Sequence, residues 1–182
     1  AKQLHLPFQS GSSRVLKAMN RHYDREKYLE AVNYAKSVMP DLVLTSDVIV
    51  GFPGETDAQF EELCEFVKDA RFDRLGAFTY SAEEGTAAAA MPDQIDEAVK
   101  NDRLDQLMML QQSISMEINE ARIGTVCEVL VDGFEEGRFY GRSILEAPES
   151  DGCIWLILCA IEVVEKTGDA SVYERPVGYK DS

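Results

Sequence analysis

Two periodicities alternate along the first two thirds of the chain. Residues 3–7 are short and apolar and read as the end of a strand. Ser12 and Ser13 cap a short helix through Met19. Between Asp24 and about Val38, the residues Tyr28, Ala31, Val32, Ala35 and Val38 fall on one helical face, and Pro40 closes the segment. Residues 42–50 end in the near-continuous apolar run Val48-Ile49-Val50, the pattern of a strand buried in a parallel sheet. Thr56-Asp57-Ala58-Gln59 is a capping box. It opens a helix to about Ala70 that buries Phe60, Leu63, Cys64 and Val67. Residues 73–80 form a third strand. A small-residue loop over 81–95 leads to a long helix from about Asp96 to Arg122. Leu104, Leu107, Met108, Ile114, Ile118 and Ala121 lie along its apolar stripe, which is ordinary core patterning. Strands alternating with helices predict an α/β fold whose parallel sheet binds ligands at its C-terminal strand ends.

The texture changes at Gly124. Residues 126–131, 139–145 and 152–158 read as short strands, with a turn around Gly133 and Gly137. That pattern suits a small all-β barrel. The chain therefore divides near residue 123, into 1–123 and 124–182.

Composition narrows the class. With 45% apolar residues in 182, the chain can bury a real core. No apolar run approaches the roughly 20 residues of a membrane-crossing helix. The first residues carry no signal-peptide pattern, start without Met and run straight into strand-like sequence, as in a chain cut at its front. The net charge is −15, divided as −8 over residues 1–123 and −7 over 124–182. Such acidity disfavours a nucleic-acid partner and suits a basic protein. The cysteines Cys64, Cys127, Cys153 and Cys159 form no CxxC or CxxxCxxC cluster, so the reading is a reduced, cytoplasmic protein with no metal ligand among its own residues. Cys64 belongs to a helix core, and Cys153 and Cys159 to buried strands. His5 and His22 have no ligand or nucleophile beside them in sequence and receive no role.

Three strand ends carry the candidate chemistry. After the second strand, Gly51-Phe52-Pro53-Gly54-Glu55 is a turn in which two glycines admit a close ligand and Pro53 stiffens the loop. Its backbone N–H and C=O groups are placed to read the edge of a flat heterocycle; a tight turn without a ligand explains the same residues. After the first strand, Gln9 and Ser10 point into the same mouth, where they bind hydroxyl groups or form a polar loop. At the third, Phe78 and Tyr80 share a face by period-two alternation, as a ligand wall or a core pair. Asp47, within a strand, needs a partner or a polar cavity.

These segments, in this order and spacing, resemble the radical S-adenosylmethionine methylthiotransferases. The resemblance rests on His5-Leu6-Pro7-Phe8-Gln9-Ser10-Gly11-Ser12, on Ser46-Asp47-Val48-Ile49-Val50-Gly51-Phe52-Pro53-Gly54-Glu55-Thr56, and on Phe78-Thr79-Tyr80-Ser81-Ala82-Glu83-Glu84-Gly85-Thr86. It covers about residues 1–158 and implies part of a radical S-adenosylmethionine (TIM-like) β/α barrel followed by a TRAM domain, a small OB-like barrel. It implies S-adenosylmethionine as cofactor, with Gln9 and Ser10 at its ribose or methionine part. Gly51, Phe52, Pro53, Gly54 and Glu55, with Phe78 and Tyr80, would lie at the adenine side, and Asp47 would orient a polar group. In the family a 4Fe–4S cluster on CxxxCxxC cleaves the cofactor reductively, the radical formed abstracts hydrogen from carbon, and a methylthio group is inserted. That motif is absent, so the chain alone is expected to be inactive and no residue in it catalytic. Two branches compete, one modifying an aspartate of a small-subunit ribosomal protein, the other an adenosine in tRNA. Phe72-Asp73-Arg74-Leu75-Gly76, Met91-Pro92-Asp93-Gln94-Ile95, Leu110-Gln111-Gln112-Ser113-Ile114-Ser115, Gly141-Arg142-Ser143 and residues 146–152 resemble the ribosomal-protein branch, and the acidic tail agrees with a basic partner. Residues 5–12 and Ser46-Asp47 resemble the tRNA branch. A non-catalytic binding module is the reading from another class. Beyond residue 158 the sequence leaves the family pattern.

Overall fold

A computed structural model describes residues 2–135, 138–143, 145 and 154–155. The described chain forms two compact units, Lys2–Gly124 and the residues from Thr125 onward.

The first unit is a three-stranded parallel sheet with helices on one face. In chain order it contains β1 (Gln3–His5), α1 (Ser13–Ala18), α2 (Arg25–Val38), β2 (Val43–Val50), α3 (Asp57–Ala70), β3 (Arg74–Thr79) and α4 (Glu97–Glu120). β2 is central, with His5 opposite Thr45 and Asp47 opposite Gly76. Leu44, Val48 and Val50 of β2 face the helices and join Phe8, Leu63, Phe66, Phe72 and Leu107 in one buried cluster. Phe8 stacks on Phe66 at 3.9 Å between ring centroids and tilts against Tyr28 at 4.4 Å, so one aromatic nest ties β1, α2 and α3 together. The opposite face carries His5, Thr45, Asp47, Ile49, Gly76 and Phe78.

Local signals explain the helix starts. Asp24 caps α2 by accepting from the Lys27 N–H, and Thr56 with Gln59 closes a full capping box on α3. Ser12 stands at the N-cap of α1 without a side-chain capping bond, and the Ser13 hydroxyl accepts instead from the Arg25 N–H.

Two helical faces differ from the pattern expected. Ala31 and Val38 are exposed, while Tyr28, Val32 and Ala35 are buried. On α4 the buried line is Lys100, Arg103, Leu107, Gln111 and Ile114, and Met108 stands on the surface. The reason is chemical: α4 packs partly onto loop backbone, whose carbonyls need donors that an apolar stripe cannot supply.

The second unit contains β4 (Val129–Glu135), β5 (Arg138–Ser143) and β6 (Ile154–Trp155), an antiparallel sheet in the order β4-β5-β6. β4 extends past the expected end at residue 131, and Gly133 lies inside it at a register shift rather than in a turn. A Cβ at Gly133 would collide with the Tyr140 ring opposite, the close approach that a strand glycine permits. Asp132 and Arg142 form a bidentate ion pair across β4 and β5 at 2.7 and 2.8 Å, and this bond holds the Asp132 carboxyl below its ordinary range. The expected strand over 152–158 and the placement of Cys153 and Cys159 lie largely outside the described residues.

Candidate functional site at the C-terminal strand ends

The three candidate loops lie side by side at the C-terminal edge of the parallel sheet. Pro7 interrupts the ladder of β1, and the chain rejoins β2 at Gln9, in the left-handed region at φ 74°. The Gln9 N–H donates to the Asp47 carbonyl (2.9 Å), and the Gln9 carbonyl accepts from the Ile49 N–H (2.9 Å). At the other side of β2, the Tyr80 N–H donates to the Val50 carbonyl (2.9 Å). Gln9, the loop after β2 and the end of β3 are therefore neighbours.

Not every side chain faces outward. Ser10 is fully buried, and its hydroxyl accepts from the Ser12 N–H (3.3 Å), so it braces its own loop. This corrects the expectation that it points into the mouth. Phe52 and Pro53 are buried as well, and of the Gly51–Glu55 segment only Gly54 is exposed. Gly51 and Gly54 both adopt left-handed backbone, at φ 76° and 77°.

Glu55 turns inward. Its Oε1 accepts from the Gly51 N–H (2.9 Å) and from Arg103 Nη1 (2.9 Å), while Oε2 is buried with no hydrogen-bond partner among the described residues. Burial pushes its carboxyl above the ordinary value; the Gly51 N–H and Arg103 oppose that shift. The Gly54 N–H donates to the Asp93 carbonyl (3.0 Å) and the Glu55 N–H to that of Phe52 (2.9 Å). The N–H groups of Gly51, Gly54 and Glu55 are thus spent inside the protein. The loop is no nest of donors for an anion; what it offers a ligand is carbonyl oxygen and the bare edge of Gly54, where a Cβ would meet nothing within 4 Å.

Phe78 and Tyr80 have different surroundings. Phe78 is 57% exposed beside Gly76. Tyr80 is buried edge-on to Phe52 (centroids 5.3 Å apart), and its hydroxyl has no hydrogen-bond partner among the described residues. An open recess of about 570 Å³ lies at this end, lined by Thr79, Tyr80, Ser81, Gln94, Glu97 and Lys100.

Asp47 has the partner a strand carboxylate requires, and it is His5. His5 Nε2 lies 3.2 Å from Asp47 Oδ2, and Nδ1 lies 2.9 Å from Thr45 Oγ1. Gly76 leaves room for the carboxylate, since a Cβ there would crowd Asp47 Oδ1. The two residues are far apart in sequence, and only the parallel pairing of β1 with β2 reveals them as a pair. Two further side chains gave only a weak signal. Lys100 and Arg103 are 4% and 5% exposed and bond to these loops. Charged residues on a polar helix read as solvated; the clue available was their spacing of three, in line with Leu107.

Among the described residues, no three His, Cys, Asp or Glu side chains are grouped to hold a metal ion. The family motif for an iron–sulfur cluster, CxxxCxxC, does not occur in the sequence. S-adenosylmethionine is a better fit: an exposed aromatic ring, a glycine edge and carbonyl oxygens suit a flat ring bearing an amino group.

Comparison with known proteins gives these loops a context. Residues 1–67 match the Radical SAM superfamily model and residues 123–168 the TRAM domain model. The chain is 46% identical over 155 residues to the ribosomal protein uS12 methylthiotransferase RimO of Caldanaerobacter subterraneus subsp. tengcongensis, covering 85% of this chain and 35% of that protein. It is also 46% identical over 145 residues to the tRNA-2-methylthio-N(6)-dimethylallyladenosine synthase of Pelotomaculum thermopropionicum, covering 78% and 32%. In fold it is similar to the radical SAM enzyme coproporphyrinogen III oxidase (HemN) from Escherichia coli, with a TM-score of 0.54, 23% identity, and coverage of 62% of this chain and 27% of the other. The chain spans about a third of the length of the curated relatives it matches. Both domain matches, in order, with 46% identity to methylthiotransferases of either kind, assign this chain to the radical S-adenosylmethionine methylthiotransferase family.

Proposed function

We propose that the chain is the rear portion of a cytoplasmic radical S-adenosylmethionine methylthiotransferase that modifies an aspartate of a small-subunit ribosomal protein. Residues 1–123 belong to its catalytic barrel and 124–182 to its TRAM domain. The observation that carries the reading is the convergence of three loops at one sheet edge, in a chain whose relatives include seven uS12 methylthiotransferases at 44–46% identity. The net charge of −15 supports a basic protein as substrate.

Burial and exposure support a division of roles. Gln9, Asp47, Gly54 and Phe78 face the ligand, with Phe78 against the adenine ring and the loop carbonyls toward its amino group. Ser10, Gly51, Phe52, Pro53, Glu55 and Tyr80 are the layer behind, which fixes the backbone. Bound S-adenosylmethionine supplies, with the 4Fe–4S cluster of the complete enzyme, the radical that removes hydrogen from the substrate carbon. The chain's own part is to bind and orient the cofactor.

A tRNA substrate is the second reading. It is favoured by the equal identity to the tRNA enzyme and by the His5–Asp47 pair, which lies in the two segments that resemble that branch. Mass spectrometry separates the two. The complete reading frame, purified anaerobically with its clusters, is incubated with uS12 in small subunits and separately with tRNA. A methylthio group on uS12 is the expected result. A methylthio group on tRNA alone replaces the first reading with the second, and modification of neither refutes both.

A further inference from the structure

Helix α4 carries two cations where packing alone would place leucine or methionine. Taking a cation out of water is costly even when it is paired, and an apolar isostere is often as stable. Lys100 and Arg103 stand one turn apart on one face of α4, each at most 5% exposed. What they add over an apolar side chain is donors, and those donors reach two different loops.

Lys100 Nζ donates to the Tyr80 carbonyl at 3.0 Å and to Glu97 Oε1 at 2.6 Å. Its stem occupies the space that a Cβ on Gly51 would need, so it lies directly beneath the loop after β2 while its end holds the loop after β3. Arg103 Nη1 donates to the Glu55 carbonyl (3.3 Å) and to Glu55 Oε1 (2.9 Å), and Nη2 to Asp57 Oδ1 (2.7 Å). Because Glu55 Oε1 also accepts the Gly51 N–H, the guanidinium fixes the first residue of the loop through the last. The far half of α4 and the turn that follows it are anchored to the start of β3. Gln111 donates to the Phe72 carbonyl (2.8 Å), Ser115 to the Asp73 carbonyl (3.0 Å), and Arg122 pairs with the Asp73 carboxylate. α4 thus spans the sheet from the entry of β3 to its exit, and its two cations set both loops against that frame.

We infer that Lys100 and Arg103 are positioning residues for the proposed cofactor site, Lys100 through the Tyr80 carbonyl and Arg103 through Glu55. The consequence for the cofactor rests on the function proposed above; the bracing of the loops rests on geometry alone. The role assigned to each cation runs through the loop group it bonds, the Tyr80 carbonyl for Lys100 and Glu55 for Arg103. Each removes freedom from loops that would otherwise be ordered at the expense of binding.

Hydrogen exchange and equilibrium binding test this in the complete, cluster-loaded enzyme, comparing Lys100→Met, Lys100→Arg and Arg103→Lys with the wild type. Lys100→Met keeps the stem and loses the charge; Arg103→Lys cannot span Glu55 and Asp57 together. In both, exchange over residues 51–57 or 79–86 rises about tenfold and the dissociation constant for S-adenosylmethionine rises about tenfold, the scale of one charge-assisted hydrogen bond. Exchange over β2 and the cluster spectrum stay as in the wild type, and Lys100→Arg recovers most of the protection. Wild-type exchange in the loops of both variants overturns the inference. So does loss of protection across β2, which would make the cations supports of the whole fold. If the wild-type enzyme fails to bind S-adenosylmethionine, the cofactor reading falls, while loop exchange still decides the bracing.

Discussion

Gly51 and Gly54 share a backbone conformation but differ in what surrounds them. Both have φ near +77°, so alanine at either position carries the left-handed penalty of roughly 1–2 kcal/mol. A methyl group at Gly54 enters open space, whereas at Gly51 it lands on the Lys100 stem. Gly51→Ala therefore costs more than Gly54→Ala by about 1–3 kcal/mol, the range for overpacking, as read by urea unfolding. Equal losses would mean that Lys100 moves aside freely. Tyr28 permits a pH test. Burial pushes its phenol up to about 12, and the hydroxyl donates to the Leu6 carbonyl at 2.7 Å. A folded pKa above the ordinary 10 contributes stability that is whole below pH 10 and lost as the pH rises through about 12. Ultraviolet titration shows a late phenolate step near 12 that Tyr28→Phe removes. At pH 7 that variant loses about 1 kcal/mol, one neutral hydrogen bond. The glycine spacing was visible in sequence, but the collision with Lys100 was not, because nothing local links positions 51 and 100.

Elements were legible where their signals are local. The capping box at Thr56, the aspartate cap at Asp24 and the apolar end of β2 each lie within a few residues, and helix and strand formed there. What failed depended on distant partners: the buried polar line of α4 and the pairing of His5 with Asp47. Gly11 shows the same limit. Its turn looks like a simple linker, yet a Cβ there would strike the backbone of Leu63 in the second turn of α3, with Leu63 N at 2.8 Å. Rigid helix backbone cannot yield as a lysine stem can. Gly11→Ala must then lift the Gln9 loop away from α3, at about 1–3 kcal/mol by the overpacking scale. The loss is measured by urea unfolding, and the midpoint falls without a change in the slope. Because Gln9 is carried on that loop, the same variant weakens S-adenosylmethionine binding in the complete enzyme. An unchanged midpoint would show that the turn has slack.

At the scale of the molecule, fold class was readable but substrate was not, since identity to the uS12 and tRNA enzymes is the same 46%. Cluster chemistry is a sharper matter. A 4Fe–4S cluster needs thiolates close together. Cys127 is exposed, and Cys64 is partly buried in α3, where burial pushes its thiol above the ordinary value and away from the thiolate form. Cys153 and Cys159 lie outside the described residues, and they stand six positions apart, which matches neither the step of four nor the step of three between the cysteines of the family motif CxxxCxxC. The 182-residue chain, mixed anaerobically with iron and sulfide and then desalted, is therefore expected to retain no stoichiometric iron and no visible charge-transfer absorption. The complete reading frame, treated alike, retains both. Stable iron on the chain alone would mean that its scattered cysteines assemble, within one molecule or between two, and would break the proposed division of labour in which this portion orients the cofactor and another holds the metal. A gel-filtration run of the loaded sample distinguishes those cases, since ligands shared between molecules require a dimer that disappears on chelation.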